Sequence, residues 1–300
     1  HTRAASEEAL FEIAARHART FLAHGTATIE AKSGYGLTVE DELKQLRVLA
    51  RVARELPLDV SPTLLGAHEI PDEYRGRADE YVDLVVSEMI PRAAGEGLAE
   101  GCDVFCESHV FSIAQARRVL TAARAHGLTP RFHADQITRS GGAELAAEVG
   151  AASADHLEQL DEAGVEAIVA GNVTAVLLPG SVYNLGLTRY PPARRLVEAG
   201  ARVVLATDFN PGSSPTPSMQ MILSLACTQM RMRPAEAFVA ATVNAAHALG
   251  RGRSVGSLEP GRQADCVLFD GPDHRLVPYF FGVNHARVVV KRGCVVADLR

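Results

Sequence analysis

Seven β-prone segments, starting near residues 26, 58, 101, 128, 152, 172 and 202, are each followed by a turn and a helical stretch. This alternation constrains the chain more than any other feature. Parallel strands cannot be joined by tight turns and need a crossover, most often a helix. The sequence predicts helix 6–24, strand 26–32, helix 38–56, strand 58–65 and helix 71–97 with a kink at Pro91. Strand 102–106 and helix 112–126 follow, the latter ended by Gly127. Strand 128–133, helix 142–149, strand 152–154, helix 161–170, strand 173–178, helix 192–199 and strand 202–206 continue the rhythm. Helices over 218–230 and 235–249 complete it.

Two architectures accommodate such a pattern, an open doubly wound sheet and a closed (β/α)8 barrel. The open sheet is favoured by a glycine-rich phosphate turn after an early strand, and no GxGxxG stretch is present. A barrel needs eight strands. Seven segments, preceded by a helix with Ser6 as its N-cap and Glu7 and Glu8 in its first turn, fit a TIM-like (β/α)8 barrel lacking its first strand. After Gly250 the texture changes. Residues 255–258, 264–269, 286–290 and 294–296 read as short antiparallel strands separated by turns. The expected division is a barrel domain over 1–254, with 255–300 supplying the C-terminal strands of a small composite β-sandwich domain.

Thirty basic against 36 acidic residues give a net charge of −6, which provides no field for gripping nucleic acid or anionic lipid. No apolar run approaches the roughly 18 to 20 residues of a membrane-spanning helix, and the N-terminus shows no signal-peptide pattern. Five cysteines scattered over 300 residues do not make a disulfide framework. A soluble cytoplasmic protein is expected, acting on a small molecule without nucleic-acid or membrane partners.

In a barrel, function collects where strands end. The strand exits hold Lys32-Ser33-Gly34-Tyr35-Gly36, Gly66-Ala67-His68, Glu107 with His109, His133-Ala134-Asp135-Gln136, Asp155-His156, Pro179-Gly180-Ser181 and Thr207-Asp208-Phe209-Asn210-Pro211-Gly212. An imidazole and a carboxylate, His133 and Asp208, suit Zn²⁺ or Fe better than Mg²⁺ or Ca²⁺. Two protein ligands are too few for a catalytic zinc, and Asp208 also fits an N-cap or an Asx turn before Pro211. Glu107 is either a ligand or the partner of a nearby cation. No G-x-S-x-G elbow surrounds a serine, Cys102 and Cys106 read as core, and the charges of Glu40-Asp41-Glu42 and of Asp72 to Arg77 read as solvated helix faces.

Taken in order, these exits resemble the amidohydrolase superfamily, in particular its branch that opens the imidazolone ring in histidine degradation. The likeness rests on residues 31–37, Leu65-Gly66-Ala67-His68, Asp103-Val104-Phe105-Cys106-Glu107, His133-Ala134-Asp135-Gln136, Ala154-Asp155-His156-Leu157 and residues 206–212, with 256–265 resembling the superfamily's C-terminal β-domain signature. The resemblance implies one Zn or Fe ion with His133 and Asp208 as ligands, and His156 and Asp208 as catalytic groups. It implies substrate contacts from Tyr35, His68, Gln136, Asn210, Gly212 and Ser213. The implied reaction is metal-dependent hydrolysis of the cyclic amide of 4-imidazolone-5-propanoate to N-formimidoyl-L-glutamate, by an enzyme expected to be a homodimer. The superfamily's His-x-His ligand pair and a substrate-binding arginine would precede His1, so the 300-residue chain alone is expected to be a poor catalyst. The alternatives are a cytosine or guanine deaminase-like aminohydrolase, or an inactive fragment without a complete metal site. The deaminases typically carry Glu where Gln136 stands, and an amide cannot exchange a proton at neutral pH.

Overall fold

The structure, a computed structural model, describes residues 1–299. The chain gathers into two compact units, His1–Arg16 with Thr28–Val173, and His17–Ala27 with Thr174–Arg300. Helix α1 (Glu7–Ala23) contributes to both.

In the first unit β1 (Thr28–Lys32), β2 (Asp59–Ala67), β3 (Gly101–Val104), β4 (Thr129–Ala134) and β5 (Ser153–His156) pair in parallel, each with the next. The crossovers are α2 (Val39–Glu55), α3 (Ala78–Leu84) with α4 (Ile90–Gly95), α5 (Ile113–Ala125) and α6 (Gly142–Val149); α7 (Glu162–Ala170) follows β5. Helix α5 shows why they dock. It buries Ala116, Val119, Leu120 and Ala123, an i, i+3, i+4, i+7 stripe, and a Ser112–Gln115 capping box starts it. Strand β2 is buried along nearly its whole length, as a parallel strand covered on both faces must be. Tyr81, Phe111 and Phe132 are the bulkiest fully buried side chains, and the Tyr81 hydroxyl donates to the Gly66 carbonyl at 2.7 Å.

The second unit holds β6 (Thr174–Leu177) and β7 (Val203–Leu205), paired in parallel, with α8 (Pro179–Asn184) and α9 (Ala193–Glu198) between them. Helices α10 (Met219–Gln229), α11 (Pro234–Ala241) and α12 (Val243–Ala248) follow. Strand β8 (Cys266–Phe269), a short helix α13 (Leu276–Tyr279), β9 (Ala286–Lys291) and β10 (Cys294–Asp298) come last, the strands forming an antiparallel sheet in the order β10-β9-β8.

Two local expectations are corrected. The segment 71–97 is not one helix. A 3₁₀ turn over Asp72–Tyr74 precedes α3, and a π-helical turn over Val85–Met89 links α3 to α4. Pro91, in the first turn of α4, has no N–H and its ring crowds the carbonyl of residue 87, so the helix widens just before it. Residues 255–258 form no strand: Gly256 has φ +98° and Leu258 is 78% exposed. Pro179-Gly180-Ser181 stands at the exit of β6 as expected and forms the first turn of α8, with Pro179 in the position proline favours.

Candidate active site

Side chains two apart along a strand share a face, and in the first unit that period lines up charges. Glu30 and Lys32 of β1, Asp103 of β3, Arg131 and His133 of β4, and Ser153 and Asp155 of β5 meet on one side of the sheet. Lys32 Nζ lies 2.5 Å from Asp103 Oδ2, 2.8 Å from Asp155 Oδ2 and 3.4 Å from Glu30 Oε1. Arg131 Nε lies 3.1 Å from the same Glu30 oxygen, which also accepts from Thr63 Oγ1 at 2.6 Å. Asp155 takes a further hydrogen bond from Ser153 Oγ at 2.8 Å.

Asp103 is fully buried and uses both oxygens. Oδ1 accepts from the backbone N–H groups of Val104 and His133, and Oδ2 faces Lys32 and, at 2.9 Å, His133 Nδ1. Burial opposes its charge, but His133 and Lys32 beside it hold the carboxyl well below the usual carboxylate range. Burial works likewise against the Lys32 ammonium, yet Asp103, Asp155 and Glu30 push its pKa well above the ordinary value. The sequence reading overlooked Lys32, Asp103 and Asp155 as a network. The legible signal was charge recurring every second residue in short strands that must be buried.

The metal expectation can be tested on this arrangement. Among the described residues, Asp103, His133 and Asp155 offer donor atoms within 4.8 Å of one another. Lys32 already bridges the two carboxylates, so its ammonium offsets one of their two charges. What fits a metal is the imidazole: the Asp103 carboxylate stands 2.9 Å from Nδ1, the side where a metal-binding histidine usually meets an outer carboxylate while Nε2 serves as the ligand nitrogen. His156 stands beside it, ring centroids 5.2 Å apart, almost fully buried and with Nδ1 3.6 Å from Glu158. A carboxylate excess, Glu30, Asp103 and Asp155 against Lys32 and Arg131, further suits a cation nearby. The residues present fit a nitrogen- and oxygen-ligated metal.

The strand ends carry strained backbone. Asp135, His156, Leu157 and Asp208 have φ of 50°, 79°, 68° and 52°, a left-handed region costing non-glycine residues of order 1–3 kcal/mol each. Two anchors hold the turn after β4. Asp135 is buried and accepts from the N–H groups of Ser140 at 2.7 Å and Ala143 at 3.0 Å, capping α6. Glu107 accepts from Ile137 N at 2.7 Å and from Thr138 Oγ1 at 2.6 Å. Between these anchors Gln136 is half-buried, its carbonyl accepting from Gln159 Nε2 at 3.3 Å.

Tyr35 and His68 are brought together edge to face at 5.4 Å. His68 Nδ1 lies 2.8 Å from the Gly34 carbonyl, and burial lowers the imidazole pKa while that hydrogen bond raises it, the former winning. The neighbouring carboxylate Glu42 is not on a solvated face as expected. It is fully buried and accepts from the N–H groups of Gly34, Gly36 and Leu37, all at 2.7 Å.

In the second unit Asp208 follows β7. Asn210, not Asp208, makes the Asx turn: its Oδ1 accepts from Gly212 N at 2.8 Å and Ser213 N at 2.7 Å. Asn210 Nδ2 donates to the Asp208 carbonyl at 2.7 Å, and Ser213 Oγ donates to Asp208 Oδ2 at 3.3 Å. Asp208, Asn210, Gly212 and Ser213 therefore form one hydrogen-bonded loop.

The chain belongs to the amidohydrolase family, whose sequence profile matches residues 1–295. Within it the chain groups with the imidazolonepropionases. It is 54% identical over 297 residues to the imidazolonepropionase of Geobacillus kaustophilus (strain HTA426), covering 99% of this chain and 70% of that protein. To that of Solibacter usitatus (strain Ellin6076) it is 55% identical over 295 residues, covering 98% and 71%. The fold is shared more widely. A 5-methylcytosine deaminase from Klebsiella pneumoniae superposes with a TM-score of 0.81 at 17% identity, covering 99% of this chain and 76% of the other. A zinc-bound adenosine deaminase from Xanthomonas campestris gives 0.73 at 20%, covering 99% and 71%. The fold is thus the α/β, TIM-like class expected from the strand–helix rhythm, and the family is metal-dependent. No helix among the described residues is long and apolar enough to cross a membrane.

Proposed function

We propose that this chain hydrolyses the cyclic amide of 4-imidazolone-5-propanoate to N-formimidoyl-L-glutamate, a step of histidine degradation. The carrying observation is 54% identity to an imidazolonepropionase over 99% of the chain. His133 and Asp208 are assigned as ligands of one metal ion, Zn or Fe, which when bound would supply a Lewis acid and acidify a water. Asp208 accepts the proton of the attacking water and returns it to the ring nitrogen as the C–N bond breaks. His156 donates a hydrogen bond to the carbonyl oxygen as negative charge develops there. Tyr35, His68, Gln136, Asn210, Gly212 and Ser213 bind and orient the substrate. In the same reading residues 1–254 form the barrel domain and 255–300 part of a small β domain, and the enzyme is a cytoplasmic homodimer, for which sedimentation is the check on assembly.

Loss of imidazolone absorbance together with appearance of N-formimidoyl-L-glutamate tests the reaction. Rapid ammonia release from cytosine or guanine would instead support a deaminase. Gln136→Glu separates the two further. The amide can both donate to and accept from a ring, whereas a carboxylate only accepts and repels the substrate's propanoate. Ring opening is expected to weaken about tenfold in kcat/KM with no deaminase activity gained, since contacts beyond one residue set the substrate. Ammonia release from cytosine by the variant would contradict this.

A further inference from the structure

The loop 33–37 is held at several of its polar backbone atoms. Ser33 N donates to the Thr63 carbonyl at 3.1 Å and Ser33 Oγ accepts from Leu65 N at 3.0 Å. Arg3 Nε donates to the Gly36 carbonyl at 2.6 Å. The N–H groups of Gly34, Gly36 and Leu37 converge on Glu42 of α2. Glu42 makes no ion pair among the described residues, so these three donors, with a longer contact from Gln45 Nε2 at 3.4 Å, are what compensates a fully buried carboxylate. The glycines make the approach possible. A Cβ on Gly36 would lie 2.6 Å from the Asp41 carbonyl carbon, and Gly34 has φ +112° with its Cβ position 3.2 Å from His68 Nδ1. What the clamped loop presents outward is Tyr35, 46% exposed.

Gly34 links this clamp to His68 through the two peptides that flank it. A carbonyl can only accept, so the Gly34 oxygen fixes the proton of neutral His68 on Nδ1 and leaves Nε2 as an acceptor. We propose that Glu42 is a positioning residue for substrate binding: by gripping the loop's N–H groups it places the Gly34 carbonyl, which fixes the His68 tautomer, and it sets Tyr35 against the His68 ring. The site thereby selects a ligand that offers an N–H to His68 Nε2, as a cyclic amide or imidazolone ring does. This rests on the reading that His68 and Tyr35 touch substrate.

Glu42→Gln tests it, because an amide replaces one acceptor oxygen with a donor that opposes an inward-pointing N–H. In ¹⁵N-imidazole NMR, His68 is expected to be the Nδ1–H tautomer in the unaltered enzyme and a mixture in the variant. KM is expected to rise about tenfold, the worth of one well-made polar contact, with a much smaller change in kcat. Glu42→Asp should behave in between. An unchanged tautomer and KM in a folded Glu42→Gln enzyme would overturn the proposal, whatever happens to its melting temperature. Should the variant not fold, amide exchange in the unaltered enzyme decides. Protected Gly34, Gly36 and Leu37 amides with a single His68 tautomer support the clamp, and rapid exchange at these three overturns it. His68→Ala with unchanged KM would sink the substrate reading alone, since the tautomer measurement tests the clamp separately.

Discussion

On its proposed roles, Asp208→Asn is expected to abolish ring opening, lowering kcat by about 10²–10⁴-fold from loss of the proton shuttle alone, and by more where the lost ligand charge weakens metal binding. The substitution isolates chemistry from folding. Asn is nearly isosteric and tolerates the left-handed backbone found here, φ 52°, as readily as Asp does. The Asp208 carbonyl still accepts from Asn210 Nδ2, and Ser213 Oγ can still donate to the amide oxygen. Melting temperature should therefore change little while turnover and metal content fall together. Turnover within tenfold of the unaltered enzyme would remove Asp208 from both roles.

The architecture was legible because hydrophobic periodicity and crossover length are properties of the chain itself. The seven segments between 26 and 206 each form a strand, and the i, i+3, i+4 stripe of α5 needs no tertiary information. Backbone details were legible only where one residue dictates them. Pro91 announced a kink, but whether the helix would widen into a π turn depended on packing around Val85 and Met89, both fully buried. At the site, individual residues such as His133 and Asp208 stood out by position after a strand. Their partners did not, because a carboxylate's partner is set by folding. Glu42 looks like any acid in the first turns of a helix until the chain brings three N–H groups to it. Glu107 reads from the sequence as a ligand or a cation's partner, and nothing local announces that the next loop's Ile137 N–H and Thr138 hydroxyl come to it. Lys32, Asp103 and Asp155 lie 71 and 52 residues apart in sequence, a separation no local pattern spans.

Lys32→Met tests that last network and should give the largest stability loss of any single change considered, about 3–5 kcal/mol by denaturant unfolding. The side chain is similar in length and keeps the apolar stem, so the change removes charge and donors with little change in volume. What remains is Asp103, with no exposed side-chain surface, and Asp155, with 4%. These two buried carboxylates would face each other without the ammonium 2.5 and 2.8 Å away. Removing one partner of a buried pair costs more than the pair was worth, because the other charge stays desolvated. Lys32→Met combined with Asp155→Asn should accordingly recover part of the loss, a non-additivity expected only of groups in one network. Asp103 is the wrong residue for that rescue, since its Oδ2 also faces His133 Nδ1. The exposed Arg75–Asp72 pair, 83% and 86% exposed, is the control, and Arg75→Met should leave stability unchanged. A Lys32→Met enzyme no less stable than that control, or a double variant whose loss is simply additive, would mean that the carboxylates are relieved by water or protonation and that the ammonium does not hold this face of the sheet together.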